Sequence, residues 1–174
     1  MMKAVVLGAV LAMGAGSTLS GTADVPTPDQ RFVMNTAWVG IAEVELGKLA
    51  SEKAVNPDVK SFGQRMATDH AKAGDELKTL AQSKGITVPT TMDAKHAAVR
   101  DRLMKLSGEA FDRAYIAEMV NGHRQAIIAF KTEAKSGKEP DIKAWAEKTL
   151  PTIQDHQKVA QSLNKPVGTS GRKK

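Results

Sequence analysis

MATDHAKAGDELKTLA (residues 66–81) reads as a helix whose apolar side carries a histidine. With Val59 and Phe62 upstream, the stripe runs Met66, position 70, Ala73, Leu77 and Leu80, a spacing of three and four that marks one face of a helix. Position 70 is His70. An imidazole buried without a partner is costly, so its place in that stripe calls for a partner elsewhere in the chain.

The same period recurs along the sequence. After DVPTPDQ (24–30), read as a proline-bearing linker over 24–29, helical spacing runs from about 29 to 54. Asn56 before Pro57 is a helix start, and Gly85 ends the helix that contains His70. Asp93 caps a short helix carrying Val99, Leu103 and Leu106. Ser107 starts a third long helix that Gly137 ends, and Pro140 opens a fourth reaching about Asn164, with Pro151 predicting a kink inside it. No alternating strand pattern with hairpin signals appears, so the class is all-α, a four-helix bundle spanning 30–164. The connector 85–107 is long enough to cross the bundle, although a simple up-down-up-down order also fits.

Both ends read as additions to this bundle. Lys3 precedes an apolar run from Ala4 to about Ala15 and then small residues, which predicts a signal peptide over 1–23 and a mature chain exported to the periplasm or the cell exterior. Nothing later is long and apolar enough to predict an integral membrane protein. The chain has no cysteine, which excludes a disulfide framework, thiolate ligands and a lipidated anchor. Of the net charge of +6, Lys3 supplies one and the tail 165–174 four, through Lys165, Arg172, Lys173 and Lys174. The body is near neutral, so no nucleic-acid partner is expected, and the tail reads as disordered and basic.

Three of the four histidines occupy one long helix each. At about 100° per residue, His123 shares its face with Ile116, Met119, Ile127 and Phe130, and His156 with Ile142, Trp145, Ile153 and Ala160. In the first helix Glu43 lies among Phe32, Val39, Leu46 and Ala50, whereas Glu45 shares a solvent arc with Lys48 and Glu52 and is the reserve acid. Glu43, His70, His123 and His156 all lie near the middle of their helices, within about one turn of a common layer. Two readings stand for that layer. It is a site for zinc, copper, iron or nickel, or a hydrogen-bonded polar layer in a noncatalytic structural or stress-related protein with an envelope partner.

The other polar residues are expected elsewhere. His96 packs or caps a bundle end, Asp112 and Tyr115 form a hydrogen-bonded end cluster, and Asp69 and Asp155 face about 100° away from the histidines they precede. Met66, Met104 and Met119 are expected in the core.

The blocks AEVELGKLA, VKSFGQRMATDHAKAGDELKTLA, LSGEAFDRAYIAEMV followed by His123, and LPTIQDHQKVAQSL resemble the exported bacterial domain-of-unknown-function family 4142 over about 30–164. The resemblance implies a ferritin-like bundle, in a family commonly labelled an outer membrane protein, and no established activity. YIAEMVNGHRQAIIAF is also similar to the Met/His helix of another exported bundle family associated with copper. Di-iron bundles carry Glu-x-x-His on two helices. Here Ala67, Val120 and Ile153 stand three before the histidines, so no iron-oxidising chemistry and no catalytic residue is expected.

Overall fold

The computed structural model describes residues 26–165; the expected signal peptide and all of the basic tail beyond Lys165 lie outside them. Five helices follow in order: α1 (Pro28–Lys53), α2 (Pro57–Ser83), α3 (Ala94–Met104), α4 (Gly108–Ser136) and α5 (Pro140–Leu163). The chain is all-α over the described residues.

Local chemistry sets the helix limits. Asn56 caps α2 by accepting from the Asp58 N–H at 2.8 Å, and Asp93 caps α3 by accepting from the His96 N–H at 2.8 Å. At the end of α2 Gly85 takes φ +66°, which lets Ile86 N–H donate to Ala81 O and Gly85 N–H to Gln82 O. The expected linker over 24–29 is corrected: the helix already begins at Pro28. Thr27 and Gln30 exchange side-chain-to-backbone hydrogen bonds in a capping box, and proline at the first helical position is pre-set for the turn. Pro151 lies inside a continuous α5.

Two buried aspartates fix the helix order. Asp29, at the start of α1, accepts from the Lys138 and Glu139 N–H groups of the α4–α5 turn, each at 2.7 Å. Asp112, at the start of α4, accepts from Val55 N–H at 3.2 Å and Asn56 N–H at 2.8 Å in the α1–α2 turn. The α1 start therefore lies at the α4 end, and the α1 end at the α4 start. Lys84, after α2, pairs with Glu139 at 3.2 Å and Asp141 at 2.7 Å. Helices α2 and α4 consequently run the same way and α1 and α5 the other. The connector between α2 and α4 crosses the full bundle, about 40 Å at 1.5 Å per residue. On the way α3 lies across α1 and α4, where Arg100 pairs with Glu45 at 3.3 Å, Arg102 pairs with Glu118, and Lys53 donates to Met104 O at 2.9 Å.

Packing is closest between α1 and α2. A Cβ on Gly47 would stand 2.7 Å from Gly63 O, and one on Gly63 would stand 2.7 Å from the Ala50 Cβ. The helix backbones touch there. Gly47→Ala or Gly63→Ala is expected to force the helices apart and cost about 1–3 kcal/mol in urea melts, the scale of core overpacking. Unchanged midpoints in both variants would contradict that contact.

The apolar interior falls into two clusters. One gathers Leu46, Val59, Phe62, Met66, Leu103, Phe111, Tyr115, Ile116 and Met119; the other gathers Phe32, Val33, Leu77, Phe130, Ile142, Trp145 and Ile153. Met104 is a correction: it ends α3 at 53 % exposure instead of joining the core with Met66 and Met119.

Candidate metal centre

Between the two apolar clusters lies a polar layer. Helices α2, α4 and α5 each turn one histidine inward, leaving His70 8 %, His123 2 % and His156 0 % exposed. The ring centroids form a near-equilateral triangle: 5.7 Å from His70 to His123, 5.3 Å from His70 to His156, and 5.4 Å from His123 to His156.

Hydrogen bonds fix the tautomer of two of the three rings. His123 Nδ1 lies 2.9 Å from Met119 O, and His156 Nε2 lies 2.8 Å from the Asp69 carboxylate. Both partners only accept, so these nitrogens carry the protons. The lone pairs are then on His123 Nε2 and His156 Nδ1, and both are buried without a partner, as is His70 Nε2. Each histidine thus contributes one orphaned buried nitrogen. The three rings donate no hydrogen bond to one another among the described residues.

Electrostatics keep the rings neutral. Burial pushes His70 well below the ordinary 6.5, with His123 and His156 adding to the effect. Burial, helped by His156, lowers His123 to about 4. His156 is lowered by burial too, against the Asp69 hydrogen bond that favours its charged form.

One donor atom from each histidine lies within 4.8 Å of those of the others. Metal–nitrogen bonds of about 2.0–2.1 Å would set three ligating nitrogens about 3.4 Å apart. Side-chain shifts of the order of 1 Å close that gap. The donor set therefore fits a metal: neutral imidazoles suit zinc, copper, nickel or iron, and the outer Asp69 and Met119 carbonyl partners are of the kind that orient histidine ligands.

Glu43 is inward, at 6 % exposure, but is not part of the three-histidine group. Its Oε1 stands 4.0 Å from His123 Nδ1, the nitrogen already committed to Met119 O. Burial pushes its carboxyl up to about 8, with repulsion from Glu118 adding to the shift. Glu45 turns outward to Arg100. His96 stays in the α3 cap, its Nδ1 2.8 Å from Asp93 Oδ1. Asp155 faces outward to Arg65 at 2.7 Å. Asp112 and Tyr115 do not form the expected cluster: Asp112 takes the backbone N–H groups of the α1–α2 turn, and the Tyr115 hydroxyl has no partner.

Asp69 turns away from His70, as its position in the helix requires, but serves the site through another histidine. It reaches across from α2 to His156 of α5, with Arg65 one turn earlier holding it at 3.2 Å. The signal was present in Arg65-x-x-x-Asp69, an i,i+4 pair that places the carboxylate at the edge of the apolar stripe.

The family described as "Domain of unknown function (DUF4142)" matches residues 15–163. Among solved structures, a DUF305 fragment from Deinococcus radiodurans is similar at TM-score 0.70 and 14 % identity, covering 80 % of this chain and 96 % of that one. A DUF305 protein from Streptomyces coelicolor is similar at TM-score 0.67 and 13 % identity, covering 79 % and 91 %. CopM in its Cu(II)-bound form is similar at TM-score 0.66 and 20 % identity, covering 78 % and 95 %. These likenesses establish a shared helical fold. No curated protein matches the sequence.

Proposed function

This chain belongs to the DUF4142 family, and we propose that it is an exported protein that binds a transition metal, copper foremost, through His70, His123 and His156, without catalysing turnover. One observation carries the reading: three buried histidines, each with an unpartnered nitrogen, converge within 4.8 Å. Leaving three such atoms unmade costs about 1–3 kcal/mol each, a penalty a shared metal ion removes. Copper stands at the top of the divalent affinity order for nitrogen donors. The fold likeness to CopM, a protein with a Cu(II)-bound form, supports the same choice.

The noncatalytic reading is supported by the missing glutamates of the di-iron motif, whose places are taken by Ala67, Val120 and Ile153. Export rests on the Lys3-led apolar leader; among the described residues no helix is long and apolar enough to cross a membrane.

Elemental analysis of tag-free protein after dialysis against copper tests this, with about one equivalent expected. Metal binding needs neutral imidazoles, and burial already holds His123 down to about 4. Protons therefore compete weakly, and the folded protein is expected to keep its copper from pH 7 to about pH 5, where free imidazole is mostly protonated. Absence of bound metal at pH 7 would overturn the assignment; release at pH 6 would show that the rings are not shielded.

A further inference from the structure

We infer that the metal reaches the histidines through the groove between α1 and α2, past Gly40, Gly74 and His70; this rests on the metal reading above. The groove measures about 430 Å³ and runs beneath Val88–Thr90 of the connector. A second, much smaller cavity of about 30 Å³ lies inside the bundle, lined from all four long helices by residues that include Val39, Ala73, Phe130 and Thr149. Gly40, His70, Gly74 and Leu77 line both spaces. The wall between outside and inside is therefore one imidazole, one leucine and two residues with no side chain.

A competing opening exists between α1 and α4 beneath α3, with a volume of about 480 Å³. It ends on Glu43 and Met119, and none of the three histidines lines it. The α1–α2 groove touches His70 directly, and His70 is also the most exposed of the three.

The glycines themselves support the route. A glycine inside a helix costs about 0.5–1 kcal/mol relative to alanine, so each position needs a reason. Gly47 and Gly63 have one, because a Cβ at either would strike the opposite helix. Gly40 and Gly74 do not: a Cβ at either would meet nothing within 4 Å. What their missing side chains leave is open space beside His70. The inner cavity of about 30 Å³ holds about one water-sized guest, so it admits a small ion that has shed most of its hydration shell.

The test uses Gly40→Leu and Gly74→Leu, whose Cβ atoms meet nothing within 4 Å and whose longer side chains extend into the groove, with a gain in helix propensity. Gly122→Ala, facing Glu43 in the other opening, is the control. Uptake of Cu(II) chloride is followed by stopped flow and its release by transfer to EDTA. Both rates are expected to fall at least about tenfold in the leucine variants, a barrier increase of about 1.4 kcal/mol, with stoichiometry and equilibrium affinity kept. Gly122→Ala should keep wild-type rates. Full binding at wild-type rates in both leucine variants, or slowing confined to Gly122→Ala, would overturn the route and leave the metal site standing. Failure of the wild-type protein to take up copper at equilibrium would overturn the site and the route together.

Discussion

Copper at a free concentration about a hundred times its dissociation constant is expected to stabilise the folded protein by about 2.7 kcal/mol, because a ligand that binds only the folded state shifts the equilibrium by mass action. For a domain of this size that corresponds to a rise of roughly 10 °C in Tm. His123→Ala should abolish the shift. It removes one of three donors and the ring that Met119 O holds in place, leaving two histidines on α2 and α5. Without metal the same variant is expected to lose a few kcal/mol, the scale of a cavity with stranded polar neighbours. Calorimetry with and without Cu(II) separates the two contributions. Equal shifts in the wild type and the variant would place the copper elsewhere.

The metal-free protein is expected to be most stable near pH 6.5 and to weaken on both sides. On the acid side, His123 falls from the ordinary 6.5 to about 4 in the folded state, and His70 and His156 move the same way. The unfolded chain therefore takes up protons that the folded one refuses. Stability is complete above about 6.5 and is lost as pH falls toward about 4, by about 3 kcal/mol from His123 alone at 1.36 kcal/mol per unit. On the alkaline side Glu43 works in reverse. Its carboxyl rises from the ordinary 4.5 to about 8, so the unfolded chain releases a proton that the folded one keeps. Its contribution is complete below 4.5 and is lost as pH rises through about 8, by several kcal/mol. Glu43→Gln should flatten the alkaline limb and steepen the acid limb, because between pH 4.5 and 6.5 the Glu43 carboxyl works against the histidines. Urea midpoints between pH 4 and 9 provide the measurement, and a wild-type profile level from pH 6.5 to 8.5 would show Glu43 ionised without penalty.

The helices were legible because their punctuation is local. Asn56-Pro57, Gly85, Asp93 and Pro140 each act within a few residues, and the 3.6 period alone turns His70, His123 and His156 inward. Glu43 was separable from Glu45 for the same reason, although α1 is apolar nearly all round. What the period cannot supply is the angle and offset between helices. Whether Glu43 meets the lone pair or the proton of His123 depends on a lateral placement that no wheel contains. The Asp69 contact escapes the wheel because its partner, His156, lies 87 positions away on another helix. A proline-bearing stretch favours extended backbone, but the Thr27–Gln30 box makes Pro28 the first helical residue and shortens the linker. The connector's length permitted a crossing, and only the Asp29 and Asp112 contacts determine that it happens.

Those two aspartates have a consequence for alignment along the bundle axis. Apolar side chains are forgiving: one hairpin could slide against the other by a helical turn, about 5.4 Å, and still bury most of its stripe. Asp29 and Asp112 forbid it. They sit at opposite ends, each grips the turn of the other hairpin, and a slide in either direction strands two carboxylates and four backbone N–H groups together. The α1–α2 and α4–α5 hairpins thus behave like two rulers pinned at both zero and full scale. His70 on one ruler and His123 and His156 on the other are held at matching marks by contacts that lie far from all three.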